Sequence, residues 1–229
     1  LMSVYIKENP AFLKEAVESI LHQTLQPSEV VIVEDGPLTP ELYQVLEKLE
    51  AQSSIPIKRC PLEQNRGLGL ALKYGVTQCQ YDVIARMDTD DIAVEDRFEQ
   101  QFELMETENL DLLGGHIAEF IDQPDEIVSY RRVPIKHEDI IVYQRMRSAF
   151  NHMTVMFKKE MVLKAGNYED GLYMEDDLLW LNMISAGART GNVDQILCKV
   201  RVGAGMFERR GGLRYLKLYR QARQRMHAR

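Results

Sequence analysis

The most constraining feature of this sequence is an apolar stretch, residues 81–91, that ends in three aspartates within four positions. Residues 83–87 have the composition of a buried β-strand. Side chains that follow such a strand lie at its carboxyl end, which is where open α/β sheets place their ligands. The sequence therefore predicts that Asp88, Asp90 and Asp91 emerge together at the ligand-binding edge of a sheet.

Three carboxylates so close together repel one another unless a cation lies between them. Ligands that are all oxygen atoms favour magnesium (Mg²⁺) or manganese (Mn²⁺), and both ions accompany the phosphates of bound nucleotides. The alternative is a solvated turn in which an aspartate caps the helix expected over residues 93–107. The motif alone leaves both the metal site and the helix cap open.

The first part of the chain alternates between patterns typical of strands and patterns typical of helices. Apolar residues recur every three or four positions in three segments, which predicts amphipathic helices, and short apolar runs between them predict strands. The helical segments are 11–23, 41–52 and one that ends near residue 78, and the strand segments are 2–6, 29–33 and 55–58. This order builds βαβ units with right-handed crossovers, so we expect an α/β fold with a mostly parallel sheet.

The second part of the chain is less regular. The alternation stops after a strand expected at 111–115, and residues 116–150 are polar and mixed. Residues 173–180 are expected to begin a further helix, and three acids, Glu175, Asp176 and Asp177, cluster where it starts. Acids at a helix start are commonly explained by the helix dipole alone, so this pattern does not by itself indicate a catalytic site.

Length and composition indicate one globular domain with a small appendage. The chain has 229 residues, of which 45% are hydrophobic and 28% charged, which suits a domain with its own core. Its three cysteines lack metal-ligand spacing, which argues against a zinc site. No apolar run approaches the roughly 18 residues of a membrane span, and no signal-peptide pattern opens the sequence. We therefore expect a cytoplasmic protein.

The charge is divided unevenly between the domain and its C-terminal tail. Residues 209–229 carry eight Lys or Arg and no acid, so removing these charges from the net −7 leaves −15 for residues 1–208. Such an acidic body would repel a phosphate backbone, which argues against nucleic acid as a partner. Residues 213–229 predict a basic amphipathic helix suited to an anionic membrane. Packing of this helix on the acidic domain is the equal alternative.

Several motifs occur in the order found in one enzyme family, and together they cover nearly the whole chain. Residues 16–24, AVESILHQT, resemble the "ESILNQT" helix of the family 2 glycosyltransferases, and VIVEDG at 31–36 is similar to the family's "IIVDDGS". NRGLG at 65–69 resembles "NxGxG", DTDD at 88–91 resembles the "DxDD" metal motif, and EDDLLW at 175–180 resembles the late "ED…W" motif. The resemblance extends to bacterial enzymes that build exopolysaccharides and surface polysaccharides.

This resemblance implies a GT-A fold with two halves. Residues 1–115 would form the nucleotide-sugar-binding half, a mostly parallel sheet flanked by helices, and residues 116–208 a less regular acceptor-binding half. The backbone N–H groups at the glycine-containing helix start, 65–69, are suited to a phosphate, although a plain helix start is equally compatible with the pattern. The nucleotide-sugar site would consist of Ser3, Tyr5, Asp35, Arg66, Gly67, Asp88 and Asp90. In this site the resemblance implies that Ser3 and Tyr5 line the base pocket and that Asp35 forms a hydrogen bond with the base.

The resemblance also implies how the reaction proceeds. Asp90 and Asp91 would bind Mn²⁺ or Mg²⁺, which stabilises the charge that develops on the leaving diphosphate. Transfer would invert the anomeric carbon while a carboxylate removes the proton of the acceptor hydroxyl. Asp176 is the predicted base, with Glu175 as its alternative. The default donor is a uridine diphosphate (UDP) sugar, and the acceptor is a glycan or a lipid-linked sugar. The sequence assigns no role to His152 or Arg201.

Two other function classes share some of these features. A sugar-1-phosphate nucleotidyltransferase also uses paired carboxylates, a metal and an α/β sheet, but it needs a glycine-rich basic loop after its first strand. Residues 7–10, KENP, are a poor cradle for a triphosphate. A non-catalytic module that binds nucleotide sugars or polysaccharides would not need Asp176, so donor binding without turnover would indicate this class.

Overall fold

The computed structural model describes residues 1–169 and 174–203, which form two neighbouring sheets. The first sheet has three parallel strands in the order β1-β2-β3. These strands are β1 (Met2–Val4), β2 (Val30–Glu34) and β3 (Ile57–Pro61), and they are connected by helices α1 (Pro10–Leu21) and α2 (Pro40–Gln52). The predicted strand, helix, strand alternation with parallel pairing is therefore confirmed.

Helices α1 and α2 begin where local sequence signals predict a helix start. The side chain of Asn9 accepts a hydrogen bond from the N–H of Ala11 (2.9 Å), and the hydroxyl of Thr39 accepts one from the N–H of Leu42 (3.3 Å). A proline occupies the first turn of each helix, where its missing N–H has no cost. The face of α1 that packs on the sheet is fully apolar and consists of Leu13, Ala16, Val17 and Ile20.

The second sheet has six strands and mostly antiparallel pairing. Its order is β4-β8-β6-β9-β5, with β7 paired to β6 outside this path. Only β6 and β9 are parallel within it, over the described residues. The strands are β4 (Val83–Ala85), β5 (Ile92–Ala93), β6 (Leu112–Phe120), β7 (Ile127–Arg131), β8 (Met156–Lys158) and β9 (Thr190–Arg201).

Leu1 joins the two sheets. Its terminal ammonium donates a hydrogen bond to the carbonyl of Ala85 (2.7 Å), and its carbonyl accepts one from the N–H of Met87 (3.1 Å). A residue bonded in this way to two positions of a neighbouring strand is the pattern of a parallel ladder. The parallel order thus continues as β3-β2-β1-β4, and the carboxyl ends of these strands lie at one edge.

The remaining helices cover both faces of the sheets. They are α3 (Leu68–Gln78), α4 (Arg97–Glu108), α5 (His137–Gln144), α6 (Lys159–Lys164) and α7 (Glu175–Ser185), together with a short 3₁₀ helix, His152–Thr154. Strand β2 shows why two cores form, because all five of its residues are buried. Val30 and Ile32 belong to the core with α1 and α2, whereas Val31 and Val33 belong to the core with α3 and α7.

The structure differs from the sequence prediction after the aspartates. A helix was expected over 93–107, but Ile92 and Ala93 form β5 and pair with Lys199 and Cys198 of β9. Helix α4 begins only at Arg97. The strand pairing is a contact between distant segments, and it outweighs the helical pattern of this short stretch.

Two further predictions concern membranes. Within residues 1–169 and 174–203, no helix is both long enough and apolar enough to cross a membrane. The basic amphipathic helix predicted over 209–229 lies outside the described residues.

Candidate active site

The three aspartates that follow β4 converge in space. Asp88, Asp90 and Asp91 each place a carboxylate oxygen within 4.8 Å of the others. Asp91 is buried, Asp88 is half-buried and Asp90 is exposed. The cluster lies at the carboxyl edge of the parallel strands, beside Ser3 of β1, whose carbonyl oxygen lies 3.4 Å from the Thr89 hydroxyl.

The electrostatics of this cluster suit a cation. Burial raises the pKa of Asp91 well above its ordinary value, and the charges of Asp88 and Asp90 raise it further. Asp90 is exposed as a residue, but neighbouring protein atoms replace part of the water around its carboxylate and raise its pKa to about 7, with added repulsion from Asp88 and Glu8. A divalent cation would relieve this repulsion, and three oxygen donors are the ligands that Mn²⁺ and Mg²⁺ prefer. The residues present therefore fit such an ion.

A buried arginine binds one of the three aspartates. The Nη1 and Nη2 atoms of Arg86 donate to the two carboxylate oxygens of Asp88, at 2.9 and 2.5 Å, and Arg86 is 1% exposed. This bidentate pair fixes Asp88 and leaves Asp90 and Asp91 as the better candidates for binding a cation. Sequence analysis missed Arg86, although a charged residue inside an apolar strand was a usable signal.

The aspartate loop is also held by distant segments. The N–H of Arg201, at the end of β9, donates to Oδ1 of Asp91 (3.0 Å). The Thr89 hydroxyl donates to Oε2 of Glu8 (2.5 Å), in the connection between β1 and α1. Neither Arg201 nor Glu8 was given a role by the sequence, because both contacts bridge residues far apart in the chain.

Asp35, predicted to bind the nucleotide base, caps a helix. It follows β2 and is 3% exposed. One carboxylate oxygen accepts the N–H of Arg66 (2.6 Å) and the other accepts the N–H of Gly67 (3.0 Å), immediately before α3. Gly67 has φ +84°, a conformation that favours glycine. The N–H groups of Arg66 and Gly67 that were expected to face a phosphate are thus paired within the chain, and the nucleotide contacts of all three residues stay predictions.

The other two residues predicted to contact the base lie at the first strand. Ser3 belongs to β1 and is half-buried. Tyr5 follows this strand and is 37% exposed. Both lie at the same sheet edge as the aspartates, so the predicted nucleotide-sugar residues surround one site, while their contacts with a donor stay predictions.

The acids at the start of α7 face the start of α3. Glu175 and Asp176 are half-buried in the first turn of α7. A Cβ atom added to Gly69 would lie 3.0 Å from Cβ of Glu175 and 2.8 Å from the carbonyl oxygen of Glu169. The ED motif at the start of α7 thus packs so closely against the NRGLG motif at the start of α3 that only a glycine fits at position 69.

The carboxylate of Asp176 has the properties of a base that works near neutral pH. Burial, followed by the charges of Asp177 and Glu175, raises its pKa to about 7. Burial also raises the pKa of Glu175, and the charge of Asp88 adds to this effect. The acids at the start of α7 therefore lie close enough to the aspartate cluster to interact with it. Asp177 differs, because it is buried and accepts a hydrogen bond from Gln144 (2.9 Å). A group with a pKa near the working pH is suited to general-base catalysis.

His152 belongs to a buried aromatic group beneath the site. Its Nε2 atom lies 2.9 Å from the hydroxyl of Tyr168, and its ring meets the ring of Trp180 edge-on at 5.8 Å between centroids. Burial lowers the pKa of His152 well below its ordinary value, and the charge of Arg86 adds to this effect. These contacts favour a structural role for His152.

Comparison with known proteins gives the family. The sequence model described as glycosyl transferase family 2 matches residues 1–167. The chain is 46% identical over 218 residues to an uncharacterized glycosyltransferase of Haemophilus influenzae and 41% identical over 218 residues to the amylovoran biosynthesis glycosyltransferase AmsE of Erwinia amylovora. Each match covers 95% of this chain and 80% of the relative.

A third relative has a name that states its reaction. The chain is 38% identical to the UDP-Gal:alpha-D-GlcNAc-diphosphoundecaprenol beta-1,3-galactosyltransferase of Escherichia coli, with 94% of this chain and 78% of the relative covered. The chain therefore spans about four fifths of the length of these relatives.

Solved structures show the fold. TarS of S. aureus superposes with a TM-score of 0.70 at 18% identity, covering 88% of this chain and 36% of TarS. The mannosyltransferase PcManGT of Pyrobaculum calidifontis, solved with GDP-Man and Mn²⁺, superposes with a TM-score of 0.67 at 15% identity, covering 89% of this chain and 56% of PcManGT. The predicted GT-A fold and glycosyltransferase function are confirmed. The chain belongs to glycosyl transferase family 2.

Proposed function

We propose that this chain catalyses the metal-dependent, inverting transfer of a sugar from a nucleoside-diphosphate sugar to a hydroxyl group of a lipid-linked glycan in bacterial polysaccharide biosynthesis. The observation that carries this proposal is the presence of two acidic groups that lie close enough to interact, since the charge of Asp88 acts on Glu175, the neighbour of Asp176. Asp88, Asp90 and Asp91 place oxygens within 4.8 Å of one another, and Asp176, near the start of α7, has its pKa raised to about 7. The aspartate cluster is suited to bind a cation with the diphosphate, and the carboxylate of Asp176 is suited to accept a proton.

The donor would bind along the carboxyl edge of the parallel strands. Asp90 and Asp91 would hold the cation, because Asp88 is already paired with Arg86. When bound, the cation stabilises the negative charge that develops on the leaving diphosphate. The residues proposed to bind the rest of the donor are Ser3, Tyr5, Asp35, Arg66, Gly67 and Asp88. A UDP-sugar is favoured because TarS was solved with UDP-GlcNAc and the E. coli relative is named for UDP-Gal, while GDP-Man in PcManGT keeps guanosine donors as the alternative.

Asp176 would act as the base in a single displacement. Its carboxylate takes the proton of the acceptor hydroxyl while the hydroxyl oxygen attacks the anomeric carbon, opposite the leaving diphosphate. The configuration of the transferred sugar is inverted as a result. We prefer Asp176 to Glu175 because its raised pKa lies near neutral pH, and because the Cβ of Glu175 is packed against Gly69.

The acceptor is proposed from the E. coli relative, whose name specifies a GlcNAc-diphosphoundecaprenol. An acceptor with a lipid chain would be reached from the cytoplasmic surface of the membrane. We therefore retain two parts of the sequence prediction as proposals. Residues 116–208 would form the acceptor-binding half of a domain that spans 1–208, and the basic segment 213–229 would contact anionic lipid.

The test is a donor screen with a synthetic lipid-linked GlcNAc diphosphate as acceptor. UDP-Gal, UDP-Glc, UDP-GlcNAc and GDP-Man are each supplied with Mn²⁺, Mg²⁺ or EDTA, and released nucleoside diphosphate is measured. We expect turnover with a UDP-sugar in the presence of metal, none with EDTA, and a product of inverted anomeric configuration by NMR. Glu108→Gln, at the exposed end of α4, is the matched control and should retain full turnover.

Four outcomes would contradict the proposal. Retention of the donor's anomeric configuration would exclude the single displacement, and full turnover in EDTA would exclude the metal. Binding of a nucleotide sugar without turnover on any acceptor would favour the non-catalytic module. Release of pyrophosphate from a nucleoside triphosphate and a sugar phosphate would favour the nucleotidyltransferase.

A further inference from the structure

Arg201, the last residue of β9, is held on several sides. Its guanidinium lies over the ring of Phe12 at 3.8 Å and over the ring of Phe120 at 4.6 Å. Its Nη2 atom donates to Oε2 of Glu15 on α1 (2.7 Å), and its side chain is only 13% exposed. An arginine that is stacked on two rings and ion-paired has one fixed position, which is unusual for so flexible a side chain.

The same residue touches the aspartate loop twice. Its backbone N–H donates to Oδ1 of Asp91 (3.0 Å), and its Nε atom lies 3.4 Å from the carbonyl oxygen of Asp90. These contacts continue the ladder in which Ile92 and Ala93 of β5 pair with β9. The end of β9 thus fixes both the backbone and one carboxylate of the residues proposed to bind the cation.

We propose that Arg201 is a positioning residue that holds Asp90 and Asp91 in the orientation in which they bind a divalent cation. This inference rests on the proposed metal-dependent function and adds to it a residue that does not contact the reacting atoms. The partners of metal ligands set the orientation of those ligands, and their loss weakens metal binding.

The contacts explain why an arginine occupies this position. A planar guanidinium stacks between two aromatic rings with its faces and donates hydrogen bonds from its edge. The faces of Arg201 meet Phe12 and Phe120, while its edge meets Glu15 and the carbonyl of Asp90. A lysine keeps the charge but cannot stack in this way, so Arg201→Lys should preserve only part of the function.

The arrangement also links the metal loop to helix α1. Phe12 and Glu15 lie one turn apart on α1, which begins directly after the connection that carries Glu8. Glu8 in turn accepts the hydroxyl of Thr89, within the aspartate loop. The loop is therefore held at two points, by α1 through Arg201 and by the connection before α1 through Glu8.

The experiment measures Mn²⁺ binding directly. Free Mn²⁺ is quantified by EPR during titration of the protein in the presence of UDP, for the wild type, Arg201→Gln and Arg201→Lys. We expect the dissociation constant for Mn²⁺ to rise by about 10- to 100-fold in Arg201→Gln, with Arg201→Lys between this variant and the wild type. Arg189→Gln, exposed directly before the same strand, is the matched control and should bind Mn²⁺ as the wild type does.

A kinetic readout separates positioning from a general structural effect. The Mn²⁺ concentration for half-maximal turnover should rise in Arg201→Gln, whereas the KM for the acceptor should stay unchanged. If Arg201→Gln does not fold, Glu15→Gln decides the matter, because this side chain is 44% exposed and its replacement removes only the ion pair. Weaker Mn²⁺ binding by Glu15→Gln would then support the proposal.

The inference would be overturned if Arg201→Gln folds and binds Mn²⁺ as tightly as the wild type. If Arg201→Gln fails to fold, unchanged Mn²⁺ binding by Glu15→Gln would overturn it. Wild-type protein that binds UDP equally well with and without Mn²⁺ would instead overturn the proposed metal-dependent function. The two failures are therefore distinguishable.

Discussion

Replacement of Asp176 by asparagine should remove catalysis and stabilise the fold at the same time. The asparagine amide occupies nearly the same volume but cannot accept the proton of an acceptor hydroxyl. Loss of a general base typically lowers the rate by about 10²- to 10⁴-fold. Donor affinity should stay nearly unchanged, because Asp176 is not among the residues proposed to bind the nucleotide or the cation, so the loss should appear in kcat.

The gain in stability follows from the raised pKa of Asp176. A carboxyl group whose pKa is 3.8 in the unfolded chain and about 7 in the fold lowers the free energy of unfolding as pH rises between these values. At about 1.4 kcal/mol per pH unit, the upper limit of this loss above pH 7 is about 4 kcal/mol. We expect Asp176→Asn to recover about half, since its amide also needs hydrogen-bond partners in a half-buried position. A gain of about 2 kcal/mol corresponds to an increase in Tm of about 4 to 8 °C.

Thermal melts and transfer assays on the same preparations test this prediction. The Tm of Asp176→Asn should exceed that of the wild type at pH 8, and the difference should vanish below about pH 3, where the wild-type carboxyl is protonated in both states. Glu108→Gln, which changes an exposed acid, should shift Tm at neither pH. Wild-type turnover by Asp176→Asn would transfer the role of base to Glu175. A Tm below that of the wild type at pH 8 would refute the electrostatic reasoning.

Three further predictions concern the same site. Gly69→Ala should destabilise the fold by about 1 to 3 kcal/mol in thermal melts, because its Cβ would meet Glu169 and Glu175. A Cβ at Gly203 would meet no atom of residues 1–169 and 174–203 within 4 Å, so Gly203→Ala should melt as the wild type does. The kcat/KM of the metal-loaded wild type should rise with pH through about 7, since the base acts in its ionised form, and a flat pH profile would count against Asp176. Asp91→Asn should abolish the metal-dependent part of UDP binding in calorimetry, as EDTA should in the wild type, and intact binding would mean that the aspartate cluster does not hold a metal ion.

Much of the first half of the fold follows from local signals in the sequence. Asn9 and Thr39 cap helices that then begin with proline, and both starts were predictable from a few neighbouring residues. The continuous apolar run of β2 predicted a strand buried on both faces, and all five of its residues are buried. The convergence of the aspartates was predictable for the same reason, because a buried strand directs the residues that follow it to one edge.

The remainder depends on contacts between distant segments, which local patterns do not contain. Strand β9 is twelve residues long, but Asn192 and Asp194 interrupt its apolar character, and it was not predicted. Strand β5 exists only because β9 pairs with it. Asp35 caps α3 from a position about thirty residues earlier in the chain. Local patterns do not show this contact, so the sequence suggested free N–H groups at the start of α3 where the structure has paired ones. Arg86 could have been found from its charge within an apolar strand, whereas the contacts of Arg201 could not.

The order in which the chain is synthesised gives the end of β9 a further significance. The hydrogen bond between Asp91 and Arg201 spans 110 positions, so the aspartate loop is made well before the strand that fixes it. At bacterial elongation rates of about 5 to 20 residues per second, this interval lasts about 5 to 20 s. During that time the parallel strands can assemble, but three mutually repelling acids lack the support that orients them. A nascent chain should therefore become able to bind a metal ion and a donor only once β9 has been added, well after the aspartate loop itself has been made.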